Sequence, residues 1–338
     1  MTENCEVTQK RDYRMRPLYT FPLSQLLIDA LTNSGFTTYE ELFDENGEIH
    51  ESAEDILKNY FYSANDIKSL VELPNITTAA LSLRSEELTE SIPTFSEALD
   101  GILGGGVRLH SLLHVCGPPG CGKTLLSLQL CIAVQVPKCL GGLEAQAVFI
   151  DTDFGFSVSR LKEIAEGAYN HCIKVAKYHN LIENISNFSV DLMLENIHYF
   201  PVRNHFQLLV AVKTLKNFIN KNSKIKVIII DSLTFPFLSF TNTLDRTRII
   251  HLILNQLHEL AETFTLAVIV TNHLTTKISK CSKYLAPSLG ESISHRIPQT
   301  LLLGSYNNMF SAVLTKSPYL AETIAHFNIT KDGLRDIK

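Results

Sequence analysis

No apolar run in the 338-residue chain approaches the roughly 20 residues that a bilayer-spanning helix needs, so no membrane span is expected. Basic residues are not in excess. The 30 Lys and Arg against 35 Asp and Glu leave a formal charge of −5, which excludes a uniformly basic DNA-coating protein and confines any nucleic-acid contact to local basic loops. Seven cysteines without paired spacing, and no hydrophobic leader in the first residues, point to a reducing intracellular compartment with no disulfide framework. The twelve histidines form no HExxH pair and no Cys–His cluster, so each reads as a surface or core residue. Internal repeats and low-complexity tracts are also missing, and a hydrophobic content of 45% against 19% charged residues excludes a mostly disordered chain.

What is present centres on residues 111–124, SLLHVCGPPGCGKT, where an apolar run breaks into a glycine-rich turn ending in lysine and threonine. Gly117, Gly120 and Gly122 lack a Cβ and let successive backbone N–H groups point inward at phosphate oxygens; Pro118, Pro119 and Cys121 complete the loop. Lys123 would reach the β and γ phosphates, and the Thr124 hydroxyl would take a place on Mg²⁺. The context predicts a buried strand over 111–115 and an apolar helix over 125–134, whose N-terminus adds its dipole to an anion site. A chance glycine loop is the competing reading, and the complete G-x-x-x-x-G-K-T between strand and helix argues against it. Cys116 and Cys121 bracket this loop; zinc is disfavoured because the backbone is committed to phosphate, and Cys121 reads as a small loop-filler rather than a redox switch. In KVIIIDS, residues 226–232, a β-branched run carries Asp231 to the C-terminal end of a buried strand, where sheet ligands bind. An acid there can hold Mg²⁺ opposite Thr124 or, alternatively, cap the next helix. FIDTDFGFSVSRL, residues 149–161, offers Asp151 and Asp153 beyond another strand end and Arg160 on the following helix.

In chain order, residues 1–16 read as a flexible tail whose Lys10, Arg11, Arg14 and Arg16 are either a nuclear address or a solvated cluster. Residues 17–73 read as a small all-α unit with helices over 25–32, 51–60 and from about 63 or 65, Asn65 serving as a cap. Residues 74–92 read as a linker. From 93 to 338 short apolar strands alternate with helices: strands over 111–115, 147–150, 197–202, 226–230 and 266–271, and helices over 158–178, 206–221 and 244–264. This is the α/β pattern of a mostly parallel twisted sheet covered on both faces. Beyond about 296 the segments 299–303, 309–315 and 325–329 predict an antiparallel C-terminal extension.

Together with TFSEALDGILGGGV (94–107), VTNH (270–273), LGES (289–292) and the ending TKSPYLAETIAHFNITKDGLRD, these motifs resemble the RecA-like recombinases of archaea and eukaryotes over roughly residues 93–338. LGGLEAQAVFIDT, DSLTFPF, TNHLTTKIS and LTKSP look most like the family's eukaryotic repair paralogues; the likeness across residues 1–80 is looser. The resemblance implies a RecA-like P-loop ATPase core with ATP and Mg²⁺ as cofactors: Lys123 as the phosphate lysine, Thr124 and Asp231 on the magnesium side, and Arg160 on the adenine. Asp153 stands where the family has a glutamate orienting the attacking water, Asn272 beside the γ-phosphate, and His273 in place of a glutamine.

The same resemblance maps a first DNA loop to 238–248, with Arg246 and Arg248, and a second to 274–287, with Lys277, Lys280 and Lys283 in a stretch free of acids between Glu262 and Glu291. The alternative is that both are solvated basic turns. Family members also assemble through a Phe-x-x-Ala tether that adds a strand to a neighbour. Phe95 to Ala98 aligns with the lead-in motif and is rejected, which leaves Ile76 to Ala79 as a weakened tether or a simple linker. The implied protein is a nuclear subunit, with a cytoplasmic pool, that binds ATP and DNA, as single strands or branched junctions. Its implied partners are other recombinase paralogues in a hetero-oligomer and a recombinase filament, in homologous-recombination repair of double-strand breaks. Three activities remain open: a slow DNA-stimulated ATPase, an assembly subunit using ATP as a structural ligand, and a RecA-like ring helicase.

Overall fold

A computed structural model describes residues 15–21, 23–44, 47–60, 62–69, 78–185, 188–238, 240, 242–278, 283–289, 291–306 and 309–337. The chain divides into two compact units, Met1–Arg84 and Ser85–Lys338.

In the first unit, α1 (Gln25–Asn33) starts at Ser24, whose hydroxyl accepts the Leu27 amide, and α2 (Glu51–Asn59) follows a short turn. Helix α3 (Ala64–Ser69) is capped by Ser63, not Asn65: the Ser63 amide and hydroxyl both donate to Asp66 at 2.7 Å, and the Asp66 amide returns to the Ser63 hydroxyl. Leu18, Leu27, Leu31, Leu42, Leu57 and Ile67 fill the interior. The expected tail ends before Arg16, which donates to Glu40 through both its amide and Nε at 2.7 Å and lies over the Tyr39 ring. A side chain so held is not part of a free basic cluster.

The linker expected over 74–92 is corrected over its second half. Residues 74–77 lie outside the described residues, but α4 (Ala79–Glu87) is helical, as an Ala-Ala-Leu start favours. Strand β1 (Ser91–Ile92) then pairs with β2 (Val107–Arg108), and helix α5 (Glu97–Leu103) lies between them. Residue 90 onward thus belongs to the larger body.

Among the described residues that body holds a ten-stranded sheet in the order β12-β11-β10-β9-β3-β7-β6-β4-β5, with β8 on β7. Strands β3 (Ser111–Gly117), β4 (Gln146–Asp151), β5 (Ile197–Pro201), β6 (Ile225–Asp231) and β7 (Ala267–Ile278) run parallel, as expected. Strand β8 (Lys283–Pro287) turns back on β7, and β9 (Gln299–Tyr306), parallel to β3, leads into the antiparallel meander of β10 (Met309–Lys316), β11 (Thr323–Thr330) and β12 (Gly333–Asp336). Helices α6 (Lys123–Ala133), α7 (Val158–Tyr178) and α8 (Val190–Glu195) cover one face; α9 (His205–Lys221), α10 (Thr243–Phe264) and α11 (Glu291–Arg296) cover the other. Strand β6 shows why its sequence is a continuous β-branched run: Val227 and Ile229 enter one core while Ile228 and Ile230 enter the opposite one.

Both expected DNA loops are more ordered than loops. Helix α10 begins at Thr243, because Asn242 caps it by accepting the Leu244 and Asp245 amides; Arg246 and Arg248 are helical, as the helix expected over 244–264 requires and the overlapping DNA loop of 238–248 does not. Strand β7 does not stop near residue 271 but continues to Ile278 and forms a ladder with β8.

Candidate nucleotide site

Strand β3 delivers the glycine loop into the crevice at the carboxyl ends of the parallel strands, flanked by β7 and β9. A Cβ on Gly117 would stand 2.6 Å from the Leu303 carbonyl oxygen and collide with Cys121 Sγ, so only glycine lets the loop pass this close to β9. Gly120 and Gly122 take left-handed φ values of +78° and +97°. Cys121 is buried and its thiol is pushed up by burial; Cys116 is pushed up to about 12 for the same reason. Neither is a reactive thiolate. Lys123 opens α6, buried, and its Nζ donates to the Gly117 and Pro118 carbonyls at 2.9 Å each.

Asp231 stands at the end of β6, 2% exposed. Burial pushes its carboxyl up and Asp151 adds to this, while the hydroxyls of Thr271 and Thr124 and the Lys123 ammonium pull it back. The Thr271 hydroxyl donates to Oδ1, and Oδ2 is buried with no hydrogen-bond partner among the described residues. A buried carboxylate oxygen without a donor is costly, and with the Thr124 hydroxyl beside it the pair offers the hard oxygen ligands that Mg²⁺ takes alongside phosphate. Among the described residues no group of three or more His, Cys, Asp or Glu could cage a metal by itself.

Asp153 lies close by: a Cβ on Gly155 would be 3.0 Å from Asp153 Oδ1 and 3.8 Å from the Thr124 hydroxyl. Burial, then Asp231, then Asp151, raise the Asp153 carboxyl to about 6. Asp151 is 1% exposed and accepts the Gly155 and Phe156 amides at 3.3 Å and the Tyr199 hydroxyl at 3.0 Å. His273 pairs in register with Gly117; burial and the nearby Lys123 ammonium lower its imidazole, and Asp231 opposes them. It therefore faces the phosphate loop.

Asn272 does not. Alternation along β7 turns it to the opposite face, where its amide donates to the Ser288 carbonyl at 3.1 Å, lies 3.1 Å from His114 Nε2, and accepts the Thr234 hydroxyl. Its expected place beside the γ-phosphate is thus corrected: it ties the middle of β7 to Ser288, the residue that follows β8. Arg160 is clipped to the turn between β11 and β12, donating to the Thr330 and Lys331 carbonyls and to Glu163. The end of β11 approaches the loop, since a Cβ on Gly122 would lie 3.1 Å from Ile329 Cδ1.

The other expected residues lie on separate elements. Arg246 is half-buried, with Nε unpartnered, and Arg248 is exposed on the next turn of α10. Lys277 and Lys283 belong to the two strands of the β7–β8 hairpin, and Lys280 lies outside the described residues. Ile76 also lies outside them, and Ala79 is the first residue of α4, so an extended tether is corrected at that end. Tyr199 carries no local signal in the sequence; its meeting with Asp151 is set by the pairing of β5 with β4.

The family profile described as Rad51 matches residues 84–337. DNA repair protein RAD51 homolog 3 of Cricetulus griseus is 36% identical over 339 residues, covering 95% of this chain and 92% of the relative. The protein of the same description in Dictyostelium discoideum is 31% identical over 285 residues, covering 83% and 74%. The DNA repair and recombination protein RadA of Metallosphaera sedula is 27% identical over 322 residues, covering 93% of each.

Proposed function

Because the chain belongs to the Rad51 family, we propose that it is an ATP- and DNA-binding subunit of a recombinase-paralogue assembly acting in homologous-recombination repair, with slow ATP hydrolysis. The observation that carries the reading is the unpartnered Oδ2 of Asp231 beside Thr124 at the mouth of the glycine loop. Glycine-loop amides and Lys123 would hold the phosphates; Thr124 and Asp231 would hold Mg²⁺, which when bound neutralises charge on the phosphate oxygens. Asp153 would orient the attacking water and accept its proton. Its carboxylate is the ionised form above a pKa of about 6, so kcat/KM for ATP is expected to fall as pH drops through about 6. A pH–rate profile that stays flat across that range would remove Asp153 from the mechanism.

The DNA surface on this reading includes the β7–β8 hairpin. Replacing Lys277, Lys280 and Lys283 together by alanine is expected to weaken single-stranded DNA binding. It should also lower the slope of log affinity against log salt by about 2, at roughly 0.7 per phosphate contact. Titration at several salt concentrations tests this, and an unchanged slope would place DNA elsewhere. The short side chain of Asp153 favours a second reading, in which ATP is a structural ligand of the assembly; turnover, measured with and without DNA, separates the two.

A further inference from the structure

Tyr199 lies on β5, the last strand at one end of the sheet, and is 43% exposed. Its ring sits 4.6 Å from that of Phe156, which in turn lies 4.9 Å from the buried Phe149. Stacking of this kind fixes where the phenol points. The hydroxyl donates to Asp151 Oδ2 at 3.0 Å, shorter than the two hydrogen bonds that the Asp151 carboxylate accepts from the Gly155 and Phe156 amides at 3.3 Å. Those amides belong to the loop carrying Asp153, and the Gly155 amide also reaches Asp153 Oδ1 at 3.2 Å. Between them Phe154 holds a left-handed φ of +60°, with its side chain 59% exposed. A non-glycine residue in that conformation persists only where its neighbours impose it, and Asp151's grip on the next two amides does so here.

We infer that Tyr199 is a positioning residue for ATP hydrolysis, acting through Asp151 on the loop that presents Asp153; this rests on the reading of Asp153 as the group that orients the attacking water. Without the hydroxyl, the Asp151 carboxylate keeps two long amide bonds, while its charge opposes those of the neighbouring Asp153 and Asp231. It then has every reason to turn toward water. Phe154 relaxes, and Asp153 loses its fixed place, while nothing that holds the phosphates has changed.

The test is Tyr199→Phe in the full chain with Mg²⁺ and ATP, a variant that keeps the ring on Phe156. Expected are a fall in kcat of about ten-fold, a fraction of what a 1 Å misplacement can cost, an unchanged KM for ATP and Tm, and faster deuterium exchange at the Gly155 and Phe156 amides. Exchange equal to that of the unsubstituted chain overturns the inference, as does undiminished kcat. A loss confined to KM overturns it too, by assigning Tyr199 to binding. If the unsubstituted chain hydrolyses no ATP, the reading of Asp153 fails first and takes the catalytic use of Tyr199 with it.

Discussion

Lys123→Ala is expected to weaken Mg²⁺–ATP binding by on the order of 10²- to 10³-fold. A charged hydrogen-bond donor aimed at phosphate contributes about 1.5–3 kcal/mol, removing one partner of a buried charge pair costs about 2–5 kcal/mol, and each 1.4 kcal/mol is tenfold. Lys123 meets the conditions for the upper part of that range: it is buried, it opens α6 where the helix N-terminus adds its own field, and its ammonium lies at the loop's carbonyls rather than in solvent. Arginine is not a substitute, because a planar fork does not fit where a compact point charge sits among backbone groups. Calorimetric titration of the full chain with ATP and Mg²⁺ measures the effect. Unchanged affinity in a folded Lys123→Ala protein would detach the glycine loop from nucleotide binding.

The second large effect is a gain. Asp153→Glu is expected to raise ATP turnover about ten-fold or more while leaving ATP affinity nearly unchanged. One methylene lengthens the side chain by about 1.5 Å, and a misplacement of about 1 Å can cost on the order of 10²-fold in rate. The carboxylate already has the environment of a catalytic base, raised to about 6 by burial and by Asp231 and Asp151, so reach is the quantity left to change. The neighbourhood sets the limit on the gain, since Gly155 packs against both Asp153 and Thr124. Steady-state hydrolysis with and without single-stranded DNA decides it: brisk turnover before substitution, or none gained after it, means that another group handles the water.

Local chemistry was legible in the sequence where it is written in consecutive residues. The glycine loop, the β-branched run to Asp231 and the span of α7 needed no partner to be read, because close backbone approach, two-faced burial and helical periodicity each leave a pattern in adjacent letters. The start of α10 is written in the same way, as Asn242 and Asp245 around a cap, and the helix expected over 244–264 overlaps the basic stretch that the resemblance assigns to a DNA loop. Other relations have no local trace. Tyr199 meets Asp151 only because β5 lies beside β4, with Phe149 paired to Tyr199 and Asp151 to Pro201. Asn272 misled for the opposite reason: it neighbours Thr271 and His273 in the chain, and the pleat alone sends it to the other side.

That pleat limits how the β7–β8 hairpin can change length. Strand β7 runs without a break from its pairing with β3 and β6 into its ladder with β8. The side chain of Thr271, which reaches Asp231, and the hairpin residues beyond it are therefore counted on one continuous two-residue rhythm. A single residue inserted after His273 would invert the β7 side chains beyond it relative to the nucleotide side, whereas a pair, matched by a pair in β8, would carry the hairpin outward by about 7 Å. Descent with working hairpins should thus favour even-numbered insertions in this strand, a parity rule imposed by geometry before any selection on the hairpin's own chemistry.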